Sequence, residues 1–464
     1  MDKIKTHTWG KQLVAKVICP NCWHSFSPEE SLYISKHPDL VGDPVAGENE
    51  YQRFEAMRFN AQGDALDPLG FATTDVACPR CHLQVPEAML EVAPLFVSII
   101  GAPASGKSYF LTSMTWQLRR LIPKMALSFS DADPIRNSPI HEYEQALFMN
   151  PRPDEPTEIR KTQSDDPRLY RTTMIEGAAV RFPVPLQFLL WPTPEHSKYA
   201  AARQVGRLIV LYDNAGEDFL PGAEDGSSPV VQHLAKSQIL FSFFDPTQDP
   251  GFRAECGSAD PQLSGELRPG QQAPAIMHRQ ETLLRETTVR IRRYLGMAQD
   301  ERLRKPLIVI VPKFDIVAKM AGISLDTEPY TESKEGRPAL MDLGRIERVS
   351  DQLRELFRRL CPEYVATAEG LSMAVRYIPV SALGGSPELV QRGGQSFYGI
   401  RPADIKPKWV TVPLMYCLCK WAPGTITRAT TRVPVDPAVW SDPTAEQLRQ
   451  NKHPGDNNQN RNAT

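Results

Sequence analysis

Runs of apolar residues recur along the chain from residue 95 onward, and several of them are apolar on both faces. They lie at 95–100, 179–190, 207–212, 237–244, 306–311 and 375–380. A strand with one solvated face would alternate apolar and polar residues, and these runs do not. They therefore predict strands in the interior of a sheet that is covered on both sides.

Amphipathic helical patterns separate these strands. Apolar residues recur three and four positions apart, with charged residues on the opposite face, in the segments 108–122, 278–297 and 344–360. Strands that alternate with helices are typical of layered α/β domains. The predicted fold class is therefore α/β, with a three-layer arrangement in which helices cover both faces of a mainly parallel sheet.

The boundaries of the predicted domains follow changes in composition. An N-terminal module (1–93) precedes a proline-marked step into the α/β domain (94–422). Two stretches of this domain, 134–173 and 245–275, are rich in Pro, Gly, Asp and Gln and lack apolar periodicity, so we predict insertions or mobile loops there. The last segment, 423–464, has little to bury and is predicted to be a disordered tail.

Composition and charge argue against several classes of protein. The chain has 464 residues, of which 41% are hydrophobic, so it can bury a large core. Lys and Arg total 53 against 55 for Asp and Glu, and this balance supplies no strong field that would attract nucleic acid or an anionic membrane. The N-terminus lacks the pattern of a secretory signal, and no apolar stretch approaches the roughly 20 residues of a membrane span. We therefore predict a cytoplasmic protein without a transmembrane segment.

The strongest chemical signal is the octapeptide GAPASGKS, which lies between the first predicted strand and the first predicted helix. It fits the G-x-x-x-x-G-K-S/T pattern of a phosphate-binding loop. Glycines let backbone N–H groups point at phosphate oxygens, and the following helix directs its positive end toward them. The lysine neutralises the β and γ oxygens, and the serine binds Mg²⁺. The predicted nucleotide contacts are Gly101, Ala102, Pro103, Ala104, Ser105, Gly106, Lys107, Ser108 and Tyr109.

This motif alone leaves ATP and GTP open. The alternative interpretation is a glycine-rich turn that binds no ligand.

A second element, Asp213-Asn214-Ala215-Gly216-Glu217, follows the strand at 207–212. An acidic residue at the end of a strand beside the phosphate loop can hold Mg²⁺ through water, and Gly216 can approach the γ-phosphate closely. We therefore predict that Asp213 binds magnesium and that Lys107, Asp213, Gly216 and Glu217 form the catalytic set. The alternative is an Asx turn closed by the glycine.

Two further loops follow apolar strands, namely Pro312-Lys313-Phe314-Asp315 and Ser381-Ala382-Leu383. Each is a weak pattern by itself. The order of all four elements, however, resembles the translation-factor-related (TRAFAC) clade of P-loop GTPases. This resemblance implies that Asp315 accepts hydrogen bonds from guanine, that the Lys313 stem covers the base, and that the backbone around Ala382 binds the guanine oxygen.

Three positions bear on how far this resemblance reaches. Pro312 stands where the clade has Asn or Thr, so a side-chain bond that steadies the phosphate loop is missing. Glu217 stands where a Gln or His orients water, and its charge could act as a base or could leave hydrolysis slow and dependent on a partner's arginine. The threonine that grips Mg²⁺ is expected before the strand at 179–190, where Thr172 and Thr173 are the candidates.

Four of the eight cysteines form two Cys-x-x-Cys pairs, Cys19 with Cys22 and Cys78 with Cys81. Each pair can place two thiolates on one metal while backbone amides bond to the sulfurs. We predict one structural Zn²⁺ bound by all four, in preference to redox dithiols or cysteines without a role. A closed site of this kind performs no catalysis, and the adjacent His24 and His82 lie outside the ligand set. Aromatic residues of the module favour contact with a protein over contact with nucleic acid.

The zinc pairs and the nucleotide motifs together resemble the bacterial double-GTPase family of conflict and defence gene clusters. The resemblance implies a GTP-dependent switch that binds GTP or GDP with Mg²⁺ and works with other proteins, and the family label suggests pairing with a second GTPase chain. Two alternatives remain open, namely a non-hydrolysing scaffold that bound nucleotide and zinc stabilise, and a P-loop ATPase.

Overall fold

The computed structural model describes residues 13–159, 168–213, 229–257, 260, 262–263, 279–331, 339–392 and 395–427. The strands of the N-terminal module are β1 (Val17–Ile18), β2 (Ser25–Phe26), β3 (Leu32–Ile34), β4 (Val41–Asp43), β5 (Gly47–Tyr51), β6 (Arg53–Phe54), β7 (Ala65–Leu66), β8 (Ala72–Thr73), β9 (Val76–Ala77) and β10 (Gln84–Val85). The later strands are β11 (Ala93–Gly101), β12 (Leu127–Asp131), β13 (Tyr170–Ile175), β14 (Ala178–Pro183), β15 (Leu186–Pro192), β16 (Arg207–Asp213), β17 (Ile239–Phe243), β18 (Leu307–Val311), β19 (Val375–Pro379), β20 (Glu388–Arg392) and β21 (Gln395–Gly399). The helices are α1 (Lys107–Leu121), α2 (Ser138–Phe148), α3 (Ala202–Val205), α4 (Pro229–Lys236), α5 (Pro250–Cys256), α6 (Gln280–Leu295), α7 (Phe314–Ala321), α8 (Leu343–Leu360), α9 (Pro362–Leu371) and α10 (Val412–Trp421).

A seven-stranded sheet lies at the centre of the α/β part, with the strand order β12-β15-β16-β11-β17-β18-β19. β11 pairs in parallel with both β16 and β17, and β18 and β19 continue the parallel arrangement. Only β15 runs antiparallel to its two neighbours in this sheet. The structure therefore confirms a mixed α/β fold with a largely parallel sheet.

The apolar runs of the sequence account for the central strands, with one exception. The run at 179–190 was predicted as a single strand and is divided between β14 and β15. Pro183 and Pro185 flank the break, and proline has no N–H to donate to a continuous ladder. β14 pairs instead with β13 in a separate antiparallel hairpin.

Side chains of the central strands are divided between two apolar cores. In β16, Ile209 and Leu211 belong to the large core that includes α1, α8 and α10. Leu208, Val210 and Tyr212 point to the other face, where they join a second core with the N-terminal module. On this face the N-terminal module packs on β16 and β11 beside His233 of α4, whereas the sequence predicted a layer of helices on each face.

Both stretches predicted as insertions or mobile loops contain regular structure in their described parts. The first holds α2, and the second begins with a short 3-10 helix and α5. Residues that suggested loops act here as helix starts, because Asp249 caps α5 by accepting a hydrogen bond from the Phe252 N–H, and prolines occupy the first turns. Among the described helices, none has the length and hydrophobicity needed to cross a bilayer.

Candidate nucleotide site and metal centre

The predicted phosphate loop connects the end of β11 to α1, which begins at Lys107. Gly106 has φ of 88°, a left-handed conformation that favours glycine. A Cβ on Gly101 would lie 2.8 Å from Phe243 Cβ, so β17 can approach this closely only because residue 101 is glycine. The Lys107 ammonium is buried and donates to the carbonyls of Gly101 and Ala102, each at 3.0 Å. The loop thus places a buried cation beside the N-terminus of a helix, as anion binding requires.

Two predicted contacts follow Lys107 in the first turn of α1. Ser108 is partly buried. The Tyr109 hydroxyl accepts a hydrogen bond from the backbone N–H of Ile159 at 3.2 Å, so this side chain ties α1 to the segment after α2.

Asp213 ends β16 and lies beside Ile99 of β11 in the sheet register. Burial raises the pKa of its carboxyl to about 6, and the positive charge of Lys107 opposes this shift. The two groups predicted to bind magnesium and phosphate therefore lie at the same edge of the sheet. Asn214, Ala215, Gly216 and Glu217 lie outside the described residues.

Thr172 and Thr173 lie in a strand, although they were expected in a loop before the sheet. Thr173 pairs with Val180 in the β13–β14 hairpin and is 2% exposed, whereas Thr172 is exposed. The backbone N–H of the next residue, Met174, donates to the carbonyl of Val45 at 2.9 Å, so the hairpin contacts the N-terminal module. Positive φ angles at Glu176 and Gly177 form its tight turn, a signal that the sequence analysis missed.

The two loops assigned to base recognition meet at Asp315, in the first turn of α7. The Ser381 hydroxyl donates to Asp315 Oδ1, and the Ser113 hydroxyl of α1 donates to the Ala382 carbonyl at 2.7 Å. Burial raises the pKa of the Asp315 carboxyl, and the hydrogen bond from Ser381 opposes this shift. The Leu383 carbonyl accepts from the Lys406 N–H at 2.8 Å.

A cavity of about 400 Å³ adjoins Asp315 and Ser381. Its other lining residues include Lys319, Asp326 and Lys408. The structure therefore places open space beside the carboxylate that sequence reasoning assigned to the nucleobase.

The Lys313 ammonium forms an ion pair that was not predicted from the sequence. It lies 2.5 Å from Oδ2 of Asp245, which is fully buried two residues after the end of β17. The Gln280 side chain bonds to both the backbone N–H and the carbonyl of Asp245. The available signal was positional, because Asp245 directly follows the apolar run at 237–244, at the same sheet edge as the Lys313 loop.

Gln248 ties this cluster to the phosphate loop. Its side-chain amide donates to the Pro103 carbonyl at 3.2 Å and to Asp245 Oδ2 at 3.1 Å. The chain therefore has a side-chain bond to the loop even though Pro312 cannot supply one. This bond was not predictable from the sequence, because residues from 245 onward have the composition of an insertion or mobile loop.

The two cysteine pairs adopt matching turns. The Asn21 N–H points at the Cys19 sulfur and the Arg80 N–H at the Cys78 sulfur, each at 3.4 Å. The residue after each pair, Trp23 or His82, has a left-handed backbone with φ of 60° or 55°. Such repeated turns with amides directed at sulfur are typical of zinc knuckles.

The four sulfurs form one buried cluster that fits a tetrahedral metal. They lie within 4.8 Å of one another, and the Cys19–Cys81 and Cys22–Cys78 separations are both 3.7 Å. Zn–S bonds of about 2.3 Å in a regular tetrahedron place sulfurs about 3.8 Å apart. The residues present therefore fit a Cys₄ zinc centre.

The charges of the four thiols are strongly linked. Burial alone would raise the pKa of the Cys19 thiol, but hydrogen bonds from the other three thiols hold it well below its ordinary value. Hydrogen bonds to the Cys19 sulfur raise the pKa of the Cys22 and Cys81 thiols. Four thiolates at this distance repel one another, so a divalent cation is needed to compensate their charge.

Comparisons with known proteins give one remote relative in sequence. No protein-family model matches the chain. A candidate ESX-1 scaffolding and assembly protein of Mycolicibacterium smegmatis, SaeC, is 24% identical over 431 residues, which are 85% of this chain and 98% of the relative. A crystal structure of Aquifex aeolicus Era bound to GDP·AlF₄⁻ is 13% identical, with a TM-score of 0.21 over 62% of this chain and 52% of that chain. A TM-score this low does not establish a shared fold. The chain is thus a mixed α/β protein with a four-cysteine cluster and a distant scaffolding relative.

Proposed function

We propose that the chain binds GTP with Mg²⁺ and hydrolyses it as a molecular switch. One observation carries the proposal: Lys107 begins α1 just after β11, and Asp213 ends the parallel strand beside β11, so both lie at the same edge of the sheet. A buried cation at a helix N-terminus binds phosphate, and a carboxylate beside it binds magnesium. The loop sequence from Gly101 to Ser108 supports the same assignment.

Specific residues would bind each component of the proposed complex, namely the phosphates, Mg²⁺, guanine and Zn²⁺. Lys107 and the backbone of the phosphate loop would hold the phosphates, and Ser108 and Asp213 would hold Mg²⁺, which supplies charge neutralisation during phosphoryl transfer. Asp315, fixed by Ser381, would accept the guanine N–H groups. The four cysteines would hold Zn²⁺ as a structural centre.

Equilibrium titration of fluorescent GTP and ATP against the purified chain tests this assignment. We expect GTP to bind more tightly than ATP, and Lys107→Ala to abolish both binding and phosphate release. The matched control is Lys124→Ala, because Lys124 is exposed and lies beyond the far end of α1. Tighter binding of ATP would overturn the assignment of guanine, and unchanged turnover in Lys107→Ala would overturn the assignment of the site.

Protein partners are part of the proposal. The relative described above is named for scaffolding and assembly, and its match spans most of both chains. We therefore propose that GTP binding controls association with other proteins. The resemblance to conflict-system GTPases remains a prediction.

A non-hydrolysing scaffold is the second candidate, and the name of the same relative favours it. The two candidates differ in phosphate release. A chain that binds GTP but releases no more phosphate than its Lys107→Ala variant, alone or with partners, is a scaffold and not a switch.

A further inference from the structure

The first cysteine knuckle packs directly on the strand that carries Asp213. The Trp23 ring, which follows Cys22, lies 4.5 Å from the Phe96 ring of β11 and 5.8 Å from the Tyr212 ring of β16, measured between centroids. The Tyr212 hydroxyl donates to the carbonyl of Pro20 at 2.5 Å. Pro20 lies between the two cysteines of the knuckle, so the position of the knuckle and the position of Tyr212 depend on each other.

His233 of α4 completes this contact. Its Nδ1 accepts a hydrogen bond of 2.7 Å from the Trp23 indole N–H, so the neutral ring carries its proton on Nε2. The same ring stacks on Tyr212 with centroids 4.2 Å apart and planes 20° apart. Tyr212 and His233 are both fully buried. We call Trp23, Tyr212 and His233 the knuckle triad.

The C-terminal end of α4 is fixed independently of the triad. The Ser237 and Ser98 hydroxyls are hydrogen-bonded at 2.7 Å, which ties the end of the helix to β11. The partly buried Lys305 side chain donates from its ammonium to three carbonyls, those of Leu234, Ala235 and Ser237. α4 therefore provides a rigid surface against which the knuckle holds Tyr212.

We propose that Trp23 and His233 are positioning residues for the magnesium site, and that metal at the four cysteines strengthens binding of Mg²⁺-nucleotide through the knuckle triad. The inference rests on the proposed function, in which Asp213 binds magnesium. Asp213 directly follows Tyr212, so a shift of the tyrosine in the sheet moves the Asp213 backbone with it. A metal bound by Cys19 and Cys22 fixes the knuckle, the knuckle fixes Tyr212, and Tyr212 fixes the carboxylate.

The readout is the ratio of the GTP dissociation constants measured without and with Mg²⁺. This ratio isolates the magnesium contribution, whereas general loss of fold weakens both constants together. Partners outside the ligand shell of a metal site commonly contribute tenfold to a hundredfold to metal affinity. We expect Trp23→Phe and His233→Phe each to lower the ratio about tenfold, with the constant measured without Mg²⁺ unchanged. Tyr212→Phe removes only the hydroxyl that donates to the Pro20 carbonyl. This smaller change provides the test of the positioning role if Trp23→Phe or His233→Phe prevents folding.

Two controls accompany these variants. His24→Gln alters the same knuckle, but the His24 ring stacks on Phe26 and not on the triad, so the ratio should stay at the wild-type value. Asp213→Asn gives the ratio that is expected when no carboxylate at this position can bind magnesium. Zinc content is measured by atomic absorption for every variant, and Trp23→Phe should retain the wild-type content. Wild-type protein stripped of zinc by a thiol-directed mercurial should show the same lowered ratio as the triad variants.

The outcomes separate the two proposals. If Asp213→Asn lowers the ratio but the triad variants and the zinc-free protein keep it, the positioning role is wrong and the nucleotide site stands. If Asp213→Asn keeps the wild-type ratio, or the wild type binds no GTP, the proposed function is wrong and this inference fails with it.

Discussion

Asp245→Asn tests the buried ion pair that joins two loops of the candidate nucleotide site. The substituted side chain keeps an Oδ1 acceptor for the Thr247 N–H and hydroxyl, which lie 2.9 and 2.7 Å from the Asp245 oxygen. It removes the negative charge 2.5 Å from the Lys313 ammonium, and it also removes the Oδ2 acceptor of the Gln248 side-chain amide. The turn at Thr247 stays in place, and a double variant with Lys313→Met separates the contribution of the charge from that of the Gln248 bond.

The expected loss follows from the burial of the two partners. Removing one partner of a buried pair costs about 3–5 kcal/mol, because the other charge stays without compensation. Asp245 is fully buried, but the Lys313 side chain is 17% exposed, so water partly solvates the remaining ammonium. We therefore expect the lower end of this range, about 3 kcal/mol in the free energy of unfolding.

Urea unfolding followed by circular dichroism measures this loss. In the double variant with Lys313→Met, the ammonium is absent, so Asp245→Asn should cost about 2 kcal/mol less than it does alone. Asp326→Asn is the matched control, because its carboxylate also pairs with a lysine, Lys408, but is exposed, and its unfolding midpoint should not change. A loss below about 0.5 kcal/mol for Asp245→Asn, or strictly additive losses in the double variant, would refute the reasoning.

Three further predictions concern the nucleotide and metal sites. Burial raises the pKa of Asp213 to about 6. In the proposed site only its ionised form binds magnesium, so the Mg²⁺-dependent part of GTP affinity should be complete above pH 7 and fall about tenfold per pH unit below 6. Fluorescence titrations in which Asp213→Asn shows the same pH slope would contradict this. Gln248→Leu removes the hydrogen bond to the Pro103 carbonyl, which is worth about 1 kcal/mol, so GTP binding should weaken about fivefold. If calorimetry finds the wild-type affinity for GTP, this bond does not stabilise the loop. Cys19→Ser or Cys78→Ser should abolish stoichiometric zinc binding, and acid should release zinc from the wild type because protons compete for the thiolates. Atomic absorption measures the zinc content in both experiments, and Cys256→Ser is the control that should keep the full content. Full zinc content in Cys19→Ser or Cys78→Ser would argue against a Cys₄ centre.

Local sequence patterns correctly predicted those elements whose structure depends on residues close together in the chain. The apolar runs at 207–212 and 306–311 became β16 and β18, because strands buried on both faces need continuous apolar sequence. The phosphate loop and the cysteine pairs were also visible, since each is a short motif whose residues act together.

Contacts between residues far apart in the chain could not be predicted in this way. Lys313 and Asp245 are 68 positions apart, and Trp23 and His233 are 210 positions apart. No periodicity or spacing links such pairs, because their contact follows from the order of strands in the sheet. For the same reason, Asp245 was assigned to a loop although it is fully buried.

The packing of the cysteine module on the sheet limits how the chain can be divided. Phe96, Leu208 and Val210 are at most 2% exposed because the module covers them. A fragment that starts at residue 94 would present this apolar strip to water and would be expected to aggregate. An N-terminal module exchanged from another protein would have to bring a complementary aromatic surface, so the two parts of the chain are constrained to change together.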